Sequence, residues 1–273
     1  MVSEFFAERR TGEPGLAVFL NAGDPPFDAL GDLAFVLDAC RVDCLELAVP
    51  FPNSVSDGPV IRRSARRALE HGADLDKVLA FVQAIRPQLS HLKIALLADW
   101  SYTVKALPLR EFLSRVQSAG SDALLIHGLP PRLRDEYYEM AHHLDQPIVT
   151  TCYASSAVDT LEEAGRHASA YLYLVAYYGR TGAAPPPDYR ALSPVIHALR
   201  GMTKAPIAVG FGVKSRSHIR ALGEVGADAA IVGSSAVSCV EQALAHGGDV
   251  VGNFYDFLLE LTGPKQSISA MVT

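Results

Sequence analysis

Hydrophobic positions along the chain fall into two alternating patterns. Eight short apolar runs, Leu16 to Leu20, Cys44 to Val49, Ile94 to Ala98, Ala123 to Ile126, Pro147 to Thr151, Tyr171 to Ala176, Ile207 to Val209 and Ala229 to Val232, are rich in aliphatic or β-branched residues. That is the pattern of strands covered on both faces. Between them, Asp28 to Cys40, Leu109 to Ser118, Pro131 to His143, Leu192 to Leu199 and Ser217 to Val225 return apolar residues at intervals of three and four, the spacing of amphipathic helices. The segment after the second run reads as two helices, Val60 to Glu70 and Leu75 to Ile85, separated by His71 and Gly72. Val251, Phe254, Phe257, Leu258 and Leu261 predict a last helix over Val250 to Thr262. Strand and helix thus alternate without a break in composition, which implies a parallel sheet, and eight repeats allow it to close. The predicted fold class is α/β, a single-domain (β/α)8 barrel over residues 1–273 with a flexible tail after about 263. A doubly wound open sheet is the structural alternative.

Composition narrows the function. Of the 273 residues, 49% are hydrophobic and 20% charged, enough to bury a full core. The net charge of -6 argues against a nucleic acid or an anionic membrane as partner, since both need a basic face. Arg62, Arg63, Arg66 and Arg67 are spaced for the outer side of a helix and read as a solvated surface. Met1 to Arg10 lacks the apolar core of a signal peptide, and no run approaches the ~20 apolar residues of a bilayer span, so a cytoplasmic protein is expected. Cys40, Cys44, Cys152 and Cys239 form no C-x-x-C pair and read as reduced, mostly packed thiols. Nine histidines, including the adjacent His142-His143, form no H-x-x-x-H or H-E-x-x-H pattern, so no metal site is expected.

In such a barrel the chemistry sits at the carboxyl ends of the strands. The seventh run leads into Gly210-Phe211-Gly212-Val213 and the eighth into Gly233-Ser234-Ser235, turns whose backbone N–H groups can approach an anion. Gly179-Arg180-Thr181-Gly182 after the sixth run could close over the same anion; the alternative is that all three are only tight turns. Glu46 lies inside an apolar run, where ionisation carries a desolvation penalty, so it is either an acid–base group or a glutamate satisfied by internal hydrogen bonds. Asp57, just before Gly58-Pro59, is a helix cap or a substrate contact. His127 ends the fourth run on the active-site side. Trp100 after the third could stack on an aromatic substrate or pack a loop.

Several blocks in order, Phe19-Leu20-Asn21-Ala22-Gly23-Asp24-Pro25, Leu45-Glu46-Leu47-Ala48-Val49-Pro50-Phe51, Ser56-Asp57-Gly58-Pro59, Gly210-Phe211-Gly212-Val213 and Gly233-Ser234, resemble the α subunit of tryptophan synthase over about residues 15 to 240. The resemblance implies retro-aldol cleavage of indole-3-glycerol phosphate to indole and glyceraldehyde 3-phosphate, with no metal and no organic cofactor. It implies that Glu46 protonates the ring carbon, that Asp57 stabilises positive charge on the indole nitrogen, and that Tyr173 is an active-site tyrosine. Phe19 would be an apolar wall, and Gly182, Gly212, Gly233 and Ser234 a phosphate cradle. Departures from the family pattern are equally specific. Its Ser-Asp-Pro-Leu-Ala is Pro52-Asn53-Ser54-Val55-Ser56 here, in the loop where the family's β subunit docks. Its Tyr-x-Asn is Asp99-Trp100-Ser101, the fourth strand ends in His127-Gly128 where an aspartate is common second, and Tyr177 stands at the place of an arginine. The expected function is therefore an indole-3-glycerol phosphate lyase of specialised pathway, with β-subunit partnership doubtful. The alternatives are a pocket for a substituted indole, a conventional α subunit dependent on a β subunit, or a homologue that only activates a partner.

Overall fold

The computed structural model describes residues 5–6, 13–176, 189–210 and 212–263, so the expected tail after 263 lies outside the described residues. Eight strands, β1 (Gly15–Asn21), β2 (Cys44–Ala48), β3 (Lys93–Asp99), β4 (Ala123–His127), β5 (Val149–Tyr153), β6 (Tyr171–Val175), β7 (Ile207–Gly210) and β8 (Ala229–Val232), form one parallel sheet in the order β4-β3-β2-β1-β8-β7-β6-β5. β4 and β5 meet through a bridge between Leu124 and Ile148, where the Leu124 N–H donates to the Pro147 carbonyl at 2.9 Å, and the sheet closes into a (β/α)8 barrel.

The helices are α1 (Phe27–Ala39), α2 (Pro59–Glu70), α3 (Leu75–Ile85), α4 (Leu109–Ser118), α5 (Arg134–His143), α6 (Val158–His167), α7 (Ser193–Met202), α8 (Arg216–Glu224), α9 (Ser234–Ala245) and α10 (Val250–Thr262). Local chemistry sets their starts. Asp74 caps α3 by accepting from the Lys77 N–H, Asp249 caps α10 by accepting from the Gly252 N–H, and Pro59 opens α2 where its missing N–H is not needed. The fifth strand begins two residues later than its apolar run suggests: Pro147 cannot donate to a ladder, and Ile148 makes the isolated closing bridge to Leu124 outside the regular strand pairing. Pro131–Leu133 forms a 3-10 turn, and α5 starts after it at Arg134.

Alternation divides each strand between two cores. Leu16, Val18, Leu20, Leu45, Leu47, Ile94 and Leu96 face the helices, whereas Ala17, Cys44, Ala95, Ala123, Ala208 and Ala229 face inward at the lower end of the barrel. Six small side chains would leave that end underfilled. Phe5 and Phe6 fill it from below, and both pack against the Tyr171 ring with centroids 5.3 Å away. The core is thus sealed at its lower end and open at the upper one.

Candidate active site

The open end is a cavity of about 320 Å3 lined by residues from every strand. On β2, the inward positions are Cys44, Glu46 and Ala48, so the alternation that buries Leu45 and Leu47 against helices turns the Glu46 carboxylate into the barrel. Glu46 is 1% exposed, and its Oε1 accepts a 2.6 Å hydrogen bond from the phenol of Tyr171. Burial raises its pKa to about 7, against the smaller opposing effect of the Tyr171 bond, which favours the carboxylate. Near neutrality Glu46 can therefore hold or release a proton.

Asp57 lies in the loop between β2 and α2 and lines the same cavity. Its N–H donates to Ser54 Oγ at 3.3 Å, and Ser54 Oγ lies 3.3 Å from Ser56 Oγ. The loop is drier here than a Ser-rich segment suggests. Burial raises the Asp57 pKa, and hydrogen bonding by Ser54 and the charges of His127 and Arg62 oppose the rise. Tyr173, from β6, also borders the cavity; burial first, then the nearby Glu46 and Asp57 carboxylates, hold its phenol protonated. A Cβ at Gly210 would sit 2.8 Å from Tyr173 Cε2, so that glycine makes room for the tyrosine.

Across the cavity, Gly212 takes the left-handed φ of 68° that favours glycine, and Gly233 leads into α9, which begins at Ser234. Ser235 Oγ donates to the Val213 carbonyl at 3.1 Å and ties the two turns together. A helix N-terminus, two glycine turns and the cavity-lining Lys214 make this wall receptive to an anion. Phe19, Leu97, Leu125 and Ile231 supply apolar surface between it and the carboxylates.

The structure brings Glu46, Asp57, Tyr173, Phe19, His127, Gly210, Gly212, Gly233 and Ser234 to one cavity. Trp100 is not among its lining residues: the side chain packs against the outer core, and Phe51, stacked on Tyr102 at 5.5 Å, supplies the aromatic surface at the mouth. Thr181, Gly182 and Phe211 lie outside the described residues. The sequence pattern assigned no role to Tyr171 or Lys214. Period-two spacing from Tyr173 was the available signal for Tyr171. Among the described residues no group of three or more His, Cys, Asp and Glu is placed to hold a metal ion, and no helix is long and apolar enough to cross a membrane.

A buried acid and an anion-receptive wall, facing one cavity at the carboxyl ends of the strands, define a (β/α)8-barrel enzyme. The family model described as tryptophan synthase alpha chain matches residues 5–261, and the chain belongs to that family of carbon–carbon lyases. The tryptophan synthase alpha chain of Acaryochloris marina is 34% identical over 87% of this chain and 88% of its own length. That of Paraburkholderia phymatum is 30% identical over 98% of this chain and 97% of its own. A point variant of the tryptophan synthase alpha subunit from the hyperthermophile Pyrococcus furiosus superposes with a TM-score of 0.82 at 26% identity, covering 93% of this chain and 99% of that one. A chain of the tryptophan synthase complex from the same organism, at 24% identity and a TM-score of 0.80, shares the fold.

Proposed function

We propose that this chain cleaves indole-3-glycerol phosphate to indole and glyceraldehyde 3-phosphate, and that it does so without a conventional β subunit. The phosphate docks on the turns at Gly212 and Gly233-Ser234, where the N-terminus of α9 meets it. The protonated Glu46 gives its proton to the ring carbon that bears the glycerol side chain, and positive charge builds on the indole nitrogen. Asp57, as carboxylate, stabilises that charge. The carbon–carbon bond then breaks, its electron pair returns to the ring, and the hydroxyl on the departing carbon becomes the aldehyde. The hydroxyl proton passes to the Glu46 carboxylate and restores the acid. The single observation that carries this reading is the buried Glu46, with a pKa of about 7, on a cavity shared with an anion-receptive wall.

Independence rests on the loop before Asp57. Asn53 and Ser54 stand where the family pattern has an acidic residue and a proline, so a charge that could meet a basic partner is missing. Ser54 is instead buried and bonded to the Asp57 N–H, so this loop holds its aspartate by contacts within the chain. The test is to mix the purified protein with indole-3-glycerol phosphate alone and follow indole release. Prompt release supports the stand-alone lyase. Release only after adding a β subunit would make it a conventional α subunit, and none under either condition would remove the lyase assignment for this substrate.

A further inference from the structure

The wall of the cavity opposite the anion-receptive turns carries a polar pair that the cleavage step does not use. On β3 the inward residues Leu97 and Asp99 follow one another, on β4 Leu125 and His127 do, and the register pairs Leu97 with Leu125 and Asp99 with His127. An apolar step is therefore followed at the rim by an aspartate and a histidine in contact, with His127 Nδ1 3.3 Å from Asp99 Oδ2.

The carboxylate is held in place. Asp99 is 8% exposed, and its Oδ1 accepts from the backbone N–H groups of Ser101 and Tyr102 at 2.8 and 3.0 Å, which fixes the plane in which Oδ2 meets the imidazole. Gly128 follows at a φ of 69°, in the left-handed region that favours glycine. In the tautomer that donates Nδ1–H to Asp99, the free ring nitrogen Nε2 is an acceptor. No partner for Nε2 is found among the described residues, and the half-exposed ring lines the cavity.

Barrel order locates this group relative to the ligand. Four strands separate the β3–β4 seam from the β7–β8 seam in either direction round the closed sheet, so the two seams face each other across the barrel. A ligand anchored by phosphate at β7 and β8 extends its other end toward β3 and β4. In the cleavage reading, on which this inference rests, that end is the six-membered ring of the indole. Plain indole offers Nε2 nothing there but C–H groups.

We infer that His127, positioned by Asp99, is a specificity determinant that accepts a hydrogen bond from a hydroxyl substituent on the six-membered ring, so that the preferred substrate is a hydroxylated indole glycerol phosphate. Water can meet Nε2 when the site is empty, because the side chain is 47% exposed, so the preference is a net hydrogen bond. About tenfold in affinity is the expected size. Asp99 is a positioning residue, acting only through the imidazole.

The test is calorimetric titration of the purified chain with indole, with hydroxyindoles carrying the hydroxyl at each position of the six-membered ring, and with the matching methoxyindoles. One hydroxyindole is expected to bind about tenfold tighter than indole. Its methoxy counterpart, which has no proton to donate, should gain nothing. His127→Leu should bring that hydroxyindole back to the affinity of indole, a change in ratio that mere structural damage would not select. Equal affinity of the unaltered protein for indole and every hydroxyindole overturns the inference without recourse to a variant. Cleavage assays with plain and hydroxylated substrates separate the two readings. Turnover of neither removes the lyase proposal while calorimetry still decides the ring preference, and turnover of the plain substrate with flat calorimetry removes the preference alone.

Discussion

Tyr171 and Glu46 lie 125 positions apart in sequence and meet inside the barrel, phenol to carboxylate, at 2.6 Å. The bond favours the ionised glutamate and opposes the burial that raises its pKa to about 7. Tyr171→Phe removes that support, so the carboxyl should hold its proton to higher pH. If the protonated form starts cleavage, the alkaline fall in kcat should move upward in pH in the variant. A pH–rate profile measured on both proteins checks this, and coincident or downward-shifted profiles would detach the phenol from the acid's titration.

Glu46→Gln should abolish cleavage, because an amide has no proton to give at the ring carbon. The same change should alter stability in a pH-dependent way. The folded pKa of about 7 lies above the ordinary value of 4.5, so the native chain binds the extra proton and its stability declines as pH rises through that window. At about 1.4 kcal/mol per pH unit, the interval from 4.5 to about 7 amounts to about 3 kcal/mol, which the glutamine variant should not lose. Denaturant midpoints at pH 5 and pH 8, compared between the two proteins, test the prediction.

Inorganic phosphate should bind competitively with substrate at Gly212 and Gly233-Ser234. Ser234→Asp places a negative charge at the start of α9, where it repels the anion and occupies its N–H donors, and should weaken phosphate by about a hundredfold. Calorimetry gives the answer directly; unchanged phosphate affinity would move the anion elsewhere.

A conventional β subunit should bind weakly and raise indole production little. Removal of one interface charge pair costs a few kcal/mol, roughly a hundredfold in affinity or more. Micromolar binding accompanied by a large rise in turnover would sink the stand-alone reading.

Arg67 makes two hydrogen bonds to the fully buried carboxylate of Asp24, at 2.9 and 2.7 Å, and a third to Glu241 at 2.6 Å. Arg67→Met strands Asp24 without its cation and should cost about 2 to 3 kcal/mol, less than a wholly buried pair because the arginine side chain is 24% exposed. Arg63→Met, which removes an exposed arginine bonded to Glu241, should cost far less. Glu241 is held down to about 2, chiefly by the Arg63 hydrogen bond. Its contribution is present above the ordinary value of 4.5 and should fade as pH falls through about 2. Acid unfolding curves of the Arg63 variant check the latter, and thermal melts rank the two arginines.

The barrel was legible in the sequence because strands buried on both faces cannot alternate, and their runs stand apart from helices of period three and four. Glu46 stood out for a related reason: a charge within such a run is expensive. Tyr171 did not, because a tyrosine at the start of a strand is ordinary and its value comes from a bond to a strand on the far side of the closed sheet. Trp100 and Tyr102 show the limit of loop reading. Both follow β3, and only the tertiary packing puts the tryptophan on the outer core and stacks Tyr102 on the cavity-lining Phe51.

The aromatic pair at Phe5 and Phe6 reaches further than its position suggests. Both rings support Tyr171, whose hydroxyl lowers the proton affinity that burial gives Glu46, so a single column of contacts runs from the base of the barrel up to the Glu46 carboxyl. Shaving the base, by Phe6→Ala or by trimming the first six residues, should leave Tyr171 free to tilt. If Glu46 starts cleavage, an alteration at this far end of the barrel should register as changed acid–base behaviour before any change in what the cavity binds.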